Sequence, residues 1–306
     1  MHSGPENTGE FTARDWLLFV SIAGIWGSSF LLIAFALEGL EPSTITLGRV
    51  GLGALTLWVI RLLGSNRTRI DREDYPRLVA VSLAWVAIPF SLFPLAQEYI
   101  NSAVTGLLNG AMPIFAAVIS IVLFRVAPRG AQLLGIIIGF GGIVLISVGS
   151  AGGESSQLRG ILMVLAATLG YGLAVNLAPP LQQKYGAIVL MSSVLGLATL
   201  MVLPLSFRDF GNNSWELGPV ASVIALGAIG TGAAYWIMST LVGRVGAIRA
   251  SFITYLIPVV SLVLGVLFRN DAVEALALVG AIFTIGGALL ASRKQSATRR
   301  SPVRHQ

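Results

Sequence analysis

The sequence places one cation inside a long apolar stretch, and this cation is a candidate for binding an anion. Arg49 is the only strong charge deep within a long apolar stretch. A guanidinium at such a place costs about 2.5–3.5 kcal/mol, so it needs a polar cavity, a partner or an interface. Two hypotheses follow. Arg49 snorkels towards the side of Glu38 and Glu41, or its guanidinium attracts the carboxylate of a solute through a charge-assisted bond.

Rings and amides lie at similar depth in the other apolar stretches. A deep ring either packs against its neighbours or lines a cavity and stacks on an apolar or aromatic solute. An amide there bonds either another helix or a solute. The candidate solute-binding residues are Trp26, Trp85, Asn109, Tyr171, Asn176, Trp236, Tyr255 and Arg49.

Several kinds of chemistry are excluded by what the chain lacks. Both histidines, His2 and His305, lie in the terminal tails and there is no cysteine, so metal sites built on them are not expected. No nucleophile, base and acid occur together, and no GxxxxGK[ST] sequence is present. The centres of the apolar stretches hold no carboxylate of the kind that proton pumps use. We therefore predict no enzyme activity, no metal and no cofactor.

Membrane helices must position these side chains. The chain is 55% hydrophobic and 11% charged, with a mean hydropathy of +0.82. Its apolar runs are continuous and about 20 residues long, which is typical of transmembrane helices. The predicted spans are 16–37, 42–63, 75–97, 102–124, 129–148, 159–181, 186–207, 218–240, 246–268 and 273–292.

The sequence is duplicated at an offset of 145 residues. The pairs that hold this spacing include Gly135/Gly280, Gly142/Gly287, Pro113/Pro258 and Trp26/Tyr171. Each copy holds five spans, an odd number, so the second copy must be inverted relative to the first. We predict an all-α integral membrane protein of ten transmembrane helices, arranged as two inverted five-helix repeats. The predicted divisions are a cytoplasmic tail 1–15, repeats 16–148 and 149–292, and a basic cytoplasmic tail 293–306.

Proline and glycine suggest where this bundle bends and packs. Pro113 and Pro258 centre spans 4 and 9, where they either shape packing or act as a hinge or gate. Small-residue faces on spans 5 and 10 allow close helix approach. They either pack inside one protomer or form a homodimer seam. The glycines concerned are Gly135, Gly139, Gly142, Gly280 and Gly287.

Basic residues predict the orientation. With a cytoplasmic N-terminus, 16 lysines and arginines face the cytoplasm and only Arg159, Arg208 and Arg269 face outward. Both termini are therefore expected in the cytoplasm. The tail from Arg293 serves as an orientation signal beside anionic lipid, so we expect the lipid bilayer and no nucleic acid as a partner.

The sequence resembles the drug/metabolite transporter superfamily in its ten-helix, duplicated, EamA-like form. The resemblance covers about residues 16–292. It rests on WGSSF at 26–30, MPIF at 112–115, LFR at 123–125 and 267–269, LIPV at 256–259 and the two final helices with paired glycines. Within the superfamily, the chain is most similar to bacterial aromatic amino-acid and paraquat exporters.

The resemblance implies export of small metabolites across the bacterial inner membrane. It implies a central cavity made by spans 1–4 and 6–9, with Trp26, Trp85, Tyr171 and Tyr255 on its wall. The expected substrates are amino acids, including aromatic ones, or aromatic or cationic compounds. The alternatives are an exporter of the same fold with a substrate other than an amino acid, and a channel-like facilitator.

Overall fold

Helices account for all regular secondary structure in the described part of the chain. The structure is a computed structural model and describes residues 11–64, 68–125, 128, 130–150 and 155–292. Within these ranges, nine helical stretches are long and apolar enough to cross a membrane, and a shorter apolar helix follows them. Spans 1 to 10 are Ala13–Ala36, Pro42–Leu63, Arg72–Gln97, Ser102–Phe124, Ala131–Ser150, Ser156–Leu177, Ala187–Asn212, Leu217–Val245, Arg249–Arg269 and Ala275–Ala291. The predicted all-α membrane fold is confirmed; the tail 293–306 and residues 1–10 lie outside the described residues.

Span 6 is shorter than the sequence suggested. It was expected to reach residue 181 but ends at Leu177, and a separate helix, Pro179–Tyr185, leads to span 7. Pro179 and Pro180 have no N–H, so the hydrogen bonds that would continue the helix through these two residues cannot form. The turn into span 7 is made at Gly186, whose φ of +82° suits glycine.

Spans 1, 4 and 9 are interrupted helices. Span 1 consists of Ala13–Gly27 and Ser29–Ala36, span 4 of Ser102–Asn109 and Met112–Phe124, and the span 9 region of Ala247–Ser251 and Ile253–Arg269. Pro113 lies in the first turn of the second half of span 4. Pro258 lies inside span 9 and packs against the interruption in span 4, because a Cβ on Gly110 would come within 3.0 Å of its ring. A hinge or gate role for the two prolines stays a prediction.

Spans 3 and 8, which are equivalent in the two copies, each contain a π-helical segment. These segments are Leu83–Ala87 and Ala225–Ala233. The residues that accompany them differ. Pro89 follows the first segment, whereas Gly227, Gly230 and Gly232 lie in the second. A π-helical turn is rare and is frequently found at functional sites.

The contacts between helices follow the symmetry of the repeat, so that a contact from the first copy to the second has an equivalent from the second copy to the first. Span 1 packs against span 9, and span 6 packs against span 4. Equivalent glycines permit both approaches. A Cβ on Gly27 would lie 2.5 Å from Val260, and one on Gly172 would lie 2.8 Å from the backbone nitrogen of Ala116. Each copy therefore completes its packing against the other.

Spans 5 and 10 form a separate glycine seam. A side chain on Gly135 would collide with the backbone of span 10, and one on Gly280 would lie 2.6 Å from the carbonyl oxygen of Gly142. Gly287 meets Gly139 in the same way. These glycines are therefore used for packing inside one chain, which leaves the homodimer hypothesis without support from them.

Candidate functional site

A cluster of aromatic rings occupies the middle of the bundle between the two copies. Trp26 on span 1 meets Tyr235 on span 8 with ring centroids 5.8 Å apart, and Tyr235 lies 6.5 Å from Trp85 on span 3. Phe93 on span 3 lies 5.8 Å from Tyr171 on span 6. Together with Phe90, these residues are called the aromatic cluster.

Arg49 on span 2 is buried against this cluster. Its side chain is 6% exposed, and its Cζ lies 3.9 Å from the centroid of the Phe90 ring. Among the described residues no carboxylate forms an ion pair with Arg49, and Glu38, its expected neighbour by snorkelling, pairs with Arg269 instead. In this structure the guanidinium therefore lies inside the bundle and not at the interface.

One ring and one hydroxyl group offset the burial of this charge. A desolvated cation–π contact contributes about 2 kcal/mol, against an insertion cost of about 2.5–3.5 kcal/mol. Among the described residues, Arg49 makes one hydrogen bond, from its Nε to Thr231 Oγ1, at 3.3 Å. A guanidinium has further N–H donors, arranged to fit a carboxylate with two parallel bonds. An anion at this place would complete the set.

The π-helical segment of span 8 positions Thr231. The Thr231 hydroxyl donates to the carbonyl oxygen of Leu226, five residues earlier, at 2.9 Å. Because its proton is used there, a lone pair on Oγ1 can accept from Arg49 Nε. Span 8 approaches span 2 closely at this level, since a Cβ on Gly53 would lie 2.6 Å from the Thr231 side chain. The bond thus joins two tightly packed helices.

The cluster repeats the symmetry of the chain. Trp26 and Tyr171 are equivalent in the two copies, and so are Phe90 and Tyr235, each pair 145 residues apart. Depth along the span applied equally to Tyr235 and Trp236, and only Trp236 was a candidate. Phe90 and Phe93 were not predicted. The repeat offset could have found Tyr235, because it matches Tyr235 with an aromatic residue and Trp236 with Ser91.

The remaining candidates lie apart from the rings. Trp236 is 46% exposed on the outside of the bundle. Asn176 uses its amide nitrogen to donate to the carbonyl oxygens of Ala116, at 3.0 Å, and Gly172, at 2.8 Å. The Tyr255 hydroxyl donates to the carbonyl oxygen of Ala288 at 3.3 Å. These contacts are the expected ones for residues that join helices.

Asn109 differs from Asn176 because its side-chain oxygen accepts no hydrogen bond from the described residues. It is 8% exposed and is the last residue of the first half of span 4. Its Oδ1 is buried and has no hydrogen-bond partner. One turn earlier, Gly106 approaches the Phe30 ring, which lies 5.3 Å from Phe93 of the cluster. Asn109 is therefore a free acceptor on a helix that borders the aromatic cluster.

Among the described residues, four ion pairs join the first half of the chain to the second at the ends of the bundle. Lys184 lies 2.8 Å from both Asp71 and Asp74, which Tyr185 also bonds through its hydroxyl. The Lys184 and Tyr185 hydrogen bonds lower the pKa of Asp71, and the aspartates raise the pKa of Lys184. The other two pairs are Arg244–Asp15 and Arg269–Glu38.

The described residues form no evident metal site. They contain no group of three or more His, Cys, Asp or Glu side chains that could hold an ion. The chemistry available at the cluster is therefore recognition by charge, hydrogen bonding and stacking.

Known proteins with similar sequences are membrane transporters. The chain is 27% identical to an uncharacterized transporter of Archaeoglobus fulgidus over 285 residues, which are 92% of this chain and all of that protein. It is 24% identical to a probable terminal-alkyne amino-acid exporter of Streptantibioticus cattleyicolor, over 93% of this chain and 95% of that one. It is 21% identical to a probable amino-acid metabolite efflux pump of Escherichia coli, over 90% and 93%.

A solved structure has the same fold. A crystal structure with 18% sequence identity superposes with a TM-score of 0.64, covering 92% of this chain and 96% of the other. Together, the ten apolar helices and the duplicated arrangement define a multi-pass membrane transporter. The profile of the EamA-like transporter family matches twice, at residues 15–148 and 158–293, and the chain belongs to that family.

Proposed function

We propose that this transporter exports amino acids, including aromatic ones, and related small metabolites by alternating access between the two repeats. The observation that carries the proposal is Arg49, a buried guanidinium that no carboxylate of the described residues pairs with, set against the aromatic cluster. An α-carboxylate supplies the missing charge, and the rings provide stacking surfaces for an aromatic side chain. Two of the relatives are named as exporters of amino acids or their metabolites.

Asn109 suits the other end of the same substrate. Its buried Oδ1 can accept a hydrogen bond from an α-ammonium group, which would remove a cost of about 1–3 kcal/mol for leaving a buried acceptor unpaired. In this arrangement Arg49, Trp26, Trp85, Tyr171 and Tyr235 bind the substrate. Asn176, Tyr255 and Trp236 would support the helices around it.

The proposed orientation assigns the two ends of the bundle to the two sides of the membrane. We place both termini in the cytoplasm and the protein in the bacterial inner membrane, because the 16-to-3 distribution of basic residues favours this topology. The Arg244–Asp15 and Lys184–Asp71 pairs then lie at the cytoplasmic end, and the Arg269–Glu38 pair lies at the outer end.

Transport by purified protein in liposomes tests the proposal. The two probes are labelled L-phenylalanine and labelled phenylethylamine, which has the same ring and ammonium but no carboxylate. Saturable flux of phenylalanine that other amino acids compete with is expected. Linear flux without competition would indicate a channel, and flux of phenylethylamine alone would indicate a substrate class without a carboxylate.

Variants of two arginines on span 2 connect the flux to the site. Arg49→Gln should weaken phenylalanine transport about 10- to 100-fold, as expected for a lost hydrogen bond to a charged group. Phenylethylamine transport should change much less. Arg61→Gln is the matched control, because Arg61 lies on the same helix but bonds Ser192 and Thr68 away from the cluster. Equal loss for both probes in Arg49→Gln would reduce Arg49 to a structural residue.

A further inference from the structure

Unpaired polar atoms concentrate at one end of the bundle, where spans 1, 3, 5 and 9 finish. Among the described residues, five buried side-chain nitrogen or oxygen atoms have no hydrogen-bond partner. Four of them belong to Gln97, Ser150 and Gln157 at this end, and the fifth is Asn109 Oδ1. In Gln97 both amide atoms are unpaired. A buried polar atom that stays unpaired costs about 1–3 kcal/mol. At this end of the bundle, the hydrogen bonds must therefore come from water or a ligand.

Two neighbouring cavities lie at the same end. The larger, of about 260 Å³, is lined by Ser150 and Gln157, and the smaller, of about 170 Å³, is lined by Gln97. Ile100 and Asn101 border both of them. The hydrogen bond from Asn101 Nδ2 to the carbonyl oxygen of Ala272, at 2.8 Å, runs beside both cavities.

The smaller cavity carries charges of both signs. Arg269 and Glu38 form an ion pair on its wall. Asp271, also on the wall, accepts hydrogen bonds from Ser102 Oγ at 2.5 Å and from the Ala103 backbone nitrogen at 2.9 Å. The Gln97 amide adds one donor group and one acceptor. Arg269 can also donate to an anionic group, and Asp271 and Glu38 can also accept from a cationic one, so the wall suits a ligand that has both groups a few ångströms apart.

The volume of the smaller cavity is sufficient for a small polar ligand. A water molecule occupies about 30 Å³ in the liquid, so a cavity of about 170 Å³ has room for an ammonium and a carboxylate on one carbon. The adjoining cavity of about 260 Å³ can take a larger side chain.

We propose that the smaller cavity is a second, outer binding site for the amino-acid headgroup. The carboxylate lies towards Arg269, the ammonium lies towards Asp271 and Glu38, and the Gln97 side chain rotates to bond both groups. The inference rests on the proposed function in one respect, because it takes the transported solute to be a zwitterion. It places a substrate at the exit after release from Arg49, at residues separate from the aromatic cluster.

Equilibrium binding of labelled glycine to the full-length protein in lipid nanodiscs tests the outer site. Glycine is the probe because it consists of the headgroup alone. The parent chain should bind it at two sites, and Arg49→Gln should retain the outer one. Adding Gln97→Leu to Arg49→Gln should weaken the remaining binding at least tenfold. Gln182→Leu, at the opposite end of the bundle, is the matched control.

A second variant tests the chemistry of the site and does not depend on a lost contact. Gln97→Glu keeps the shape but adds a negative charge, so the outer site should come to prefer methylamine, which has only the cation, over glycine. If the cavity holds water only, neither Gln97 variant will change binding, and the proposal is overturned. If Arg49→Gln leaves glycine binding unchanged while the Gln97 variants still alter it, the proposed central site is refuted and the outer site stands.

Discussion

Arg49 on span 2 and Thr231 on span 8 are joined by a hydrogen bond of 3.3 Å that crosses from the first copy of the repeat to the second. Thr231 is held for this contact by its own bond to the carbonyl oxygen of Leu226. The Thr231 hydroxyl therefore fixes the orientation of the guanidinium plane, and this orientation determines where the other N–H groups point.

Replacing this hydroxyl should weaken recognition of the carboxylate without removing the charge. In Thr231→Val the bond is lost and the shape is kept, so the affinity for L-phenylalanine should fall several-fold, in line with about 1 kcal/mol for a hydrogen bond. Thr231→Ser restores the hydroxyl and should restore the affinity. Flux at varied substrate concentration measures this, and a Ser variant as weak as the Val variant would show that the methyl group, and not the bond, matters.

The aromatic cluster predicts that substitutions at two neighbouring residues, Tyr235 and Trp236, affect transport differently. Tyr235→Ala removes a ring beside Trp26 and Trp85, so transport of aromatic amino acids should fall several-fold while the amount of protein in the membrane stays near normal. Trp236→Ala should have little effect, because Trp236 is 46% exposed on the outer face. Trp26→Ala, Trp85→Ala and Tyr171→Ala should resemble Tyr235→Ala. Parent-like transport in all four would mean that the rings serve only for packing.

The glycine seam gives a prediction about stability with a control one residue away. A side chain on Gly142 would collide with Thr284 of span 10, whereas nothing lies within 4 Å of the corresponding position on Gly141. Gly142→Ala should therefore lower the free energy of unfolding by about 1–3 kcal/mol, as overpacking usually does. Gly141→Ala should melt like the parent. Thermal denaturation in detergent, followed by tryptophan fluorescence, compares the two.

The Lys184 contacts predict a pH dependence of stability. The folded-state pKa of Asp71 is lowered, so its contribution is present above its ordinary value of 3.8 and is lost as the pH falls through the lowered pKa. The pKa of Lys184 is raised from 10.5, so its contribution is present below that value and is lost only as the pH rises through the raised pKa. The difference in Tm between the parent and Lys184→Gln should therefore be constant from about pH 5 to 9 and should shrink in strong acid. A difference that changes near pH 7 would contradict this assignment.

Single cysteines can test the orientation, because the chain has none of its own. Glu73 lies in the first turn of span 3 and Glu216 precedes span 8, and both side chains are exposed. An impermeant maleimide applied to intact cells should label Glu216→Cys and should label Glu73→Cys only after the cells are opened. The reverse pattern would place the termini outside.

Much of this architecture could be predicted because it depends on local sequence. Continuous apolar runs gave the ten spans, and the constant offset of 145 residues gave the duplication. The end of span 6 was misplaced because hydropathy does not register Pro179 as a stop. The π-helical segments depend on how spans 3 and 8 pack against other helices, which the pattern along one helix does not contain.

The candidate site was only partly predictable for a related reason. Depth along a span can be counted, and it placed Arg49, Trp26, Trp85 and Tyr171 correctly at the level of the cluster. Which way a side chain points depends on the neighbouring helices, so Tyr235 and Trp236 could not be separated by depth. Thr231 carried no signal of its own, because threonine is common in apolar helices and its contact with Arg49 spans 182 residues.

The glycine seam between spans 5 and 10 has a consequence for biosynthesis. Span 10 leaves the ribosome about 140 residues after its partner, span 5. Until span 10 arrives, the glycine face of span 5 is uncovered, and so are the surfaces of span 1 that await span 9. The first half of the protein must therefore remain in the bilayer as an incomplete intermediate, and chains that stop before residue 275 lack the partner that completes it.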